Sequence, residues 1–181
     1  MAVAELVGDR GIVWNPQHAM HLYGHGYFGQ PVGIRKPKSA EFDKPLELSL
    51  IECAYLMKRG ALKVYAPRQG HDVTEEELLA AGLAKSDDFS DRLLVYSQLR
   101  EFGYVVRPGL KFGTDFAVYE HGPGIDHAPF LVHVIPQKKG VMPLDIVRAG
   151  RLATSVRKKF IVATVMENGE IAYYMFQWHR P

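Results

Sequence analysis

Three side chains in the second half of the chain, Tyr119, His127 and Lys158, are of types that can move or balance protons while a phosphodiester is cut. Cleaving RNA without a metal sets three tasks: taking the proton from a 2′-hydroxyl, protonating the 5′-oxygen that leaves, and stabilising extra negative charge on the phosphorus oxygens. Histidine suits the acid because its ordinary pKa of about 6.5 lets it donate near neutrality. Tyrosine, ordinarily near 10, is a poorer base; Tyr119 needs a nearby cation such as Lys158 to favour its phenolate, or else acts by orienting the hydroxyl. Each residue taken singly also has an ordinary structural reading. Tyr119 ends an aromatic and β-branched run and fits a core or rim position. His127 is one of eight histidines. Lys158 sits in Arg157-Lys158-Lys159, a short basic run of the kind that complements a helix dipole from solvent.

The elements that must position these groups are legible around them. A helix from Asp88 to Phe102 carries Leu93, Leu94, Tyr96 and Leu99 and stops at Gly103. Strands are expected at Tyr104 to Arg107, Phe116 to Tyr119 and Pro129 to Ile135, broken by Pro108-Gly109 and Gly122-Pro123-Gly124. Pro143 opens a helix running to about Val156, and two strands then flank Asn168-Gly169. The first half reads as a hairpin over residues 3–14, a helix capped at Ser49 with Glu52 three residues on, a strand from Ala61 to Tyr65, and a second helix capped at Thr74. The fold class expected is α+β: a small N-terminal α+β domain over 1–87, then a C-terminal domain over 88–181 with a mixed central sheet.

Composition narrows the class. A chain of 181 residues with a net charge of +2 carries no bulk electrostatic signature, so nucleic-acid binding would need a local basic surface. The single cysteine, Cys53, excludes an internal disulfide and a cysteine-based zinc site, and fits a reducing, cytoplasmic setting. No stretch approaches the roughly 20 apolar residues that span a bilayer.

The segments Leu110 to Tyr119, His127-Ala128-Pro129-Phe130-Leu131-Val132 and Arg151 to Lys159, in that order and spacing, resemble the signature of the archaeal tRNA-splicing endonucleases, crenarchaeal type. The likeness extends to Leu46 to Glu52, to Tyr173-Tyr174 and to Trp178-His179-Arg180-Pro181, covering nearly the whole chain. It implies an α/β nuclease-like catalytic domain that cuts precursor tRNA and other bulge-helix-bulge RNA without metal or cofactor. Tyr119 would be the base, His127 the acid and Lys158 the transition-state stabiliser, giving 2′,3′-cyclic phosphate and 5′-hydroxyl ends. It also implies a clamp on a bulged base by Arg151 and Trp178, and a four-subunit assembly in which an acidic loop of one subunit enters another. Glu167 and Glu170, around Asn168-Gly169, are the residues expected there. The sequence inclines towards two copies of this chain with two of a related non-catalytic one, a homotetramer being the alternative.

Two places depart from the family pattern. The connection Glu120 to Asp126 is compact. Gln30 to Pro45 reads as an insertion in which Arg35, Lys36, Lys38 and Lys44 outnumber Glu41 and Asp43, suited either to substrate phosphates or to an ordinary solvated loop.

Two lookalikes carry nothing. Gly24-His25-Gly26-Tyr27-Phe28-Gly29 spells a dinucleotide fingerprint but lacks the preceding strand and following helix, and His18, His21 and His25 lack partners to complete a tetrahedral metal set. Two other functions remain to weigh: a non-catalytic RNA-binding subunit of the same fold, against which the presence of all three residues speaks, and a metal-dependent nuclease, for which Asp115, Glu120 and Asp126 are too loosely spaced.

Overall fold

Gly8, at φ 63°, turns the chain between strand β1 (Ala2–Val7) and strand β2 (Arg10–Val13), which pair antiparallel with Glu5 opposite Ile12. The positive φ is one a side chain with a Cβ adopts at a cost, hence the glycine. This computed structural model describes residues 1–35, 37, 39–155 and 157–176. They divide into two compact units, Met1–Leu93 and Leu94–Pro181.

In the first unit helix α1 (Pro16–Gly26) follows β2 and is absent from the sequence expectation. Its glycines and histidines blur the apolar stripe, but its start is well marked: the Asn15 side chain accepts from the Gln17 and His18 amides, and Pro16 occupies the first turn. The chain continues through β3 (Gln30–Pro31), β4 (Leu46–Ser49), α2 (Leu50–Lys58), β5 (Leu62–Ala66), β6 (His71–Asp72) and α3 (Glu75–Leu83). The sheet order is β3-β4-β2-β1-β5-β6, with β1 and β5 parallel. Reciprocal caps form at Ser49 with Glu52 and at Thr74 with Glu77, as their spacing predicts. Gly11 lets α2 approach the sheet: a Cβ there would stand 2.5 Å from the Cys53 sulfur.

Helix α4 (Phe89–Glu101) crosses from the first unit into the second and ends before Gly103 at φ 89°. The second unit then lays down β7 (Val105–Pro108), a 3₁₀ turn (Leu110–Phe112), β8 (Phe116–Tyr119), β9 (Phe130–Val134), α5 (Pro143–Ser155), β10 (Lys159–Val165) and β11 (Ile171–Phe176). The order β11-β10-β9-β8-β7 is antiparallel except for β9 beside β10, so the sheet is mixed and α5 is the crossover. On one face Ala117, Leu131, Phe160 and Val162 form a buried cluster with Ala128 and Ile135, against which Phe112, Tyr119 and Ile146 pack. Phe160 is 1 % exposed, so its replacement by alanine costs roughly 3–5 kcal/mol. Towards the other face point Phe116 and Val118, and Tyr96 of α4 meets Phe116 at 5.7 Å between ring centroids. Among the described residues no helix is long and apolar enough to cross a membrane.

Candidate active site

Tyr119 is the last residue of β8, held by pairing to Val105 of β7 and packed half-buried on the Ala117–Phe160 cluster. The chain leaves it through residues 120–129, and a single side chain shapes that connection. Asp126 accepts the Glu120 and His121 amides at 3.0 and 3.1 Å on Oδ2, and the Gly122 amide at 2.8 Å on Oδ1. Three main-chain donors closing on one carboxylate make residues 120–126 a compact ring. His127 follows directly and is exposed, while its neighbour Ala128 is buried in the cluster. The compactness read in the sequence at Glu120 to Asp126 is thus the work of this carboxylate.

Lys158 reaches the same place from the far side of α5. The last residue before β10, it donates from Nζ to the Ala128 carbonyl at 2.5 Å and lies 5.5 Å from the centre of the Phe112 ring. The backbone fixes this approach, since the Lys159 amide donates to the Pro129 carbonyl at 2.9 Å. The structure therefore brings Lys158 to the residue after His127, and Tyr119 to the cluster that holds that residue.

The charges around these groups act in definite directions. Burial pushes the Tyr119 hydroxyl above its ordinary pKa, Arg107 pulls it down, and Asp126 pushes it up, with the rise prevailing. A cation that lowers Tyr119 is Arg107, which the sequence did not single out. Arg107 pairs with Ala117, two residues from Tyr119 on the neighbouring strand, so it stands diagonally across the ladder on the same face. Partial burial lowers Lys158, Lys111 lowers it further, and Asp126 raises it, leaving it below the usual lysine value. Asp126 is itself pushed up by partial burial, but the three amide bonds and His121 outweigh this and hold it below the usual carboxylate range. The Asp126 charge thus acts on both Tyr119 and Lys158, and Asp126 immediately precedes His127 in the chain.

The other residues singled out from sequence are placed as follows. Arg151 stands exposed on α5, and Trp178 lies outside the described residues. Glu167 pairs with Lys138 at 3.5 Å, and the Glu170 carboxylate accepts from the Asn168 side chain at 2.8 Å, both at the β10–β11 turn. In the 30–45 segment Lys36 and Lys38 lie outside the described residues, while Arg35 and Lys44 are exposed. That segment is anchored: β3 pairs with β4, and buried Phe42 meets Tyr23 of α1 edge-on at 5.6 Å. The fingerprint-like glycines run from the end of α1 into its left-handed cap at Tyr27 and onward to β3, the reverse of the strand-to-helix order that phosphate cradling needs. The His21 and His25 rings lie 4.1 Å apart between centroids, tilted by 37°. Asp115, weighed as a metal ligand, instead accepts from His133 Nδ1 at 2.7 Å and the Val134 amide at 2.8 Å. Among the described residues no group of three or more His, Cys, Asp or Glu is placed to hold a metal ion.

Two residues bear on the site in ways the sequence reading did not give: Arg107, which it did not single out, and Asp126, which it weighed only as a metal ligand. Arg107 is invisible until the β7–β8 register is known. Asp126 carried a signal, an aspartate closing a loop with two glycines and a proline, a setting in which its side chain binds nearby main-chain amides.

Comparison with known proteins adds the lineage. Residues 2–79 match the N-terminal domain of tRNA intron endonucleases and residues 89–173 their catalytic C-terminal domain. The chain is 48% identical over 182 residues to a tRNA-splicing endonuclease of Hyperthermus butylicus, covering 100% of both. It is 43% identical to that of Sulfurisphaera tokodaii, covering 97% of this chain and 98% of the relative. To that of Saccharolobus solfataricus it is 38% identical, covering 98% of each.

Proposed function

We propose, since the chain belongs to the tRNA intron endonuclease family, that it is a catalytic subunit which excises introns from precursor tRNA by metal-independent cleavage at bulge-helix-bulge motifs. The observation that carries this is the convergence of Lys158, the His127 loop and Tyr119 on one patch of the second unit, from the end of β8, the β8–β9 connection and the start of β10.

In the reaction the 2′-oxygen attacks phosphorus and the P–O5′ bond breaks. The 2′-hydroxyl proton passes to the Tyr119 phenolate and the 5′-oxygen takes a proton from His127, leaving a 2′,3′-cyclic phosphate and a 5′-hydroxyl. Burial and Asp126 keep the phenolate scarce at rest, and Arg107 opposes them. Lys158, tethered by the Ala128 carbonyl, presents its ammonium to the charge that builds on the phosphoryl oxygens. Arg151 and Trp178 clamp a bulged base by stacking and cation–π attraction. Arg35, Lys36, Lys38 and Lys44 lie along substrate phosphates, a reading that the anchoring of the 30–45 segment supports because a pinned loop loses less freedom on binding.

Two copies work with two of a related non-catalytic chain, in the cytoplasm. Glu167 and Glu170 enter the neighbouring subunit, and β11, a sheet edge with exposed Tyr174, Met175 and Phe176, offers apolar surface for assembly.

The test is cleavage of a labelled bulge-helix-bulge RNA in excess chelator, by the chain alone and co-expressed with candidate partners, with His127→Ala beside it. Loss of cutting in that variant is expected. Equal cutting by the variant, or dependence on added metal, overturns the mechanism.

A further inference from the structure

The β8–β9 connection contains a carboxylate that none of the three chemical tasks uses. We infer that Asp126 is a positioning residue for the cleavage reaction: its carboxylate gathers the amides of Glu120, His121 and Gly122 and thereby fixes the direction in which His127 leaves the loop. The inference rests on the catalytic reading above and goes further by naming what holds the acid in place.

Glycines at 122 and 124 have φ of 133° and 94°, conformations that leave the segment many alternatives in the absence of a restraint. An exposed loop with that freedom would spread His127 over many orientations, and a displacement of about 1 Å in a reacting group can cost about 100-fold in rate. Asp126 removes the freedom at one end, where it holds residues 120–122. Burial of Ala128 and the Lys158 bond to its carbonyl remove it at the other. His127 is the residue between the two restraints.

The same carboxylate sets the charge at the site. Arg107 on β7 and Asp126 act on Tyr119 in opposite directions, while Lys111 and Asp126 do so on Lys158. Within the loop His121 lowers Asp126, together with the three amide bonds. An uncharged residue at 126 therefore relieves the opposition to the Tyr119 phenolate while loosening His127. Looser acid placement lowers the rate at every pH, whereas an easier phenolate moves the alkaline limb of the rate profile to lower pH. A residue that only kept the loop folded would not move that limb.

The experiment uses the assembled enzyme, with whichever partner it needs, under single turnover on a labelled bulge-helix-bulge RNA from pH 5 to 10. Wild type, His127→Ala, Asp126→Asn and Asp126→Ala are compared, with RNA affinity measured separately. Asparagine keeps one acceptor oxygen, so Asp126→Asn should lose about 10-fold and Asp126→Ala about 100-fold in cleavage rate at neutral pH. Affinity should be unchanged, the alkaline limb should fall in pH for both, and amide exchange over 120–122 should quicken. Wild-type rate with an unshifted limb in Asp126→Asn, while His127→Ala is inactive, overturns the inference and leaves the catalytic reading standing. A His127→Ala variant that cuts normally removes the catalytic reading instead, whatever Asp126 does.

Discussion

Glu52 offers a stringent test of how the first unit is held together. It is 4 % exposed, yet its carboxylate takes the Gly29 amide at 2.8 Å on Oε1 and, on Oε2, the Ser49 amide at 2.9 Å and hydroxyl at 2.8 Å. One side chain therefore caps α2 and pins the chain just before the basic 30–45 segment. Replacing it by alanine deprives two main-chain donors of this acceptor, each worth about 1–3 kcal/mol when left in a buried site. The hydroxyl can turn elsewhere and counts for little. The expected loss is about 3 kcal/mol, or roughly 6–12 °C in Tm for a chain of this length. Ser49→Ala, which removes the cap acceptor for the Glu52 amide at 3.3 Å and the hydroxyl that donates to Glu52 but leaves the Gly29 bond in place, should cost about 1 kcal/mol. Guanidinium titrations of the two variants beside wild type measure both numbers. If Glu52→Ala costs no more than Ser49→Ala, the Gly29 bond contributes nothing and the pinning argument is wrong.

Three further outcomes follow from the geometry. Lys158→Met should lower single-turnover cleavage by about 30- to 1,000-fold at unchanged RNA affinity, the range between a partly screened and a well-sheltered charge contact. Arg107→Leu removes the cation that pulls Tyr119 down, so the hydroxyl rises further and the alkaline limb of the rate profile should move to higher pH, opposite to the Asp126 variants. Cys53 is fully buried, and burial with Glu52 beside it pushes its thiol up to about 12; a disulfide reagent at pH 8 should leave it untouched in the native chain and titrate one thiol after unfolding.

What the sequence disclosed and what it hid differ by the range of the interaction responsible. Ser49 with Glu52, Thr74 with Glu77 and the glycines at 103 and 169 act on main chain within a few residues, and each element they bound is found where those signals place it. Helix α1 has a local start of the same kind at Asn15-Pro16, but its buried Ala19, Leu22 and Tyr23 make only a short apolar stripe among histidines and glycines. For the candidate site, residue types could be read but electrostatic partnerships could not. The influence of Arg107 on Tyr119 depends on strand register, and that of Asp126 on Tyr119 and Lys158 depends on a loop closure. That Glu52 would leave its own helix to hold Gly29, 23 residues back, follows from tertiary packing alone.

The parallel pairing of β9 and β10 has a kinetic side. Lys158 meets the Ala128 carbonyl across 30 residues of chain, by way of a helical crossover. Such pairings form only after the entropy of closing a long loop has been overcome, and they belong to the slow part of folding. Until then the nascent chain has the histidine, with its loop already closable by local bonds, but not the ammonium beside it. On the proposed mechanism, competence to cut RNA should accordingly emerge last, in step with completion of the sheet, because a half-made chain emerging from synthesis carries His127 without Lys158 beside its loop.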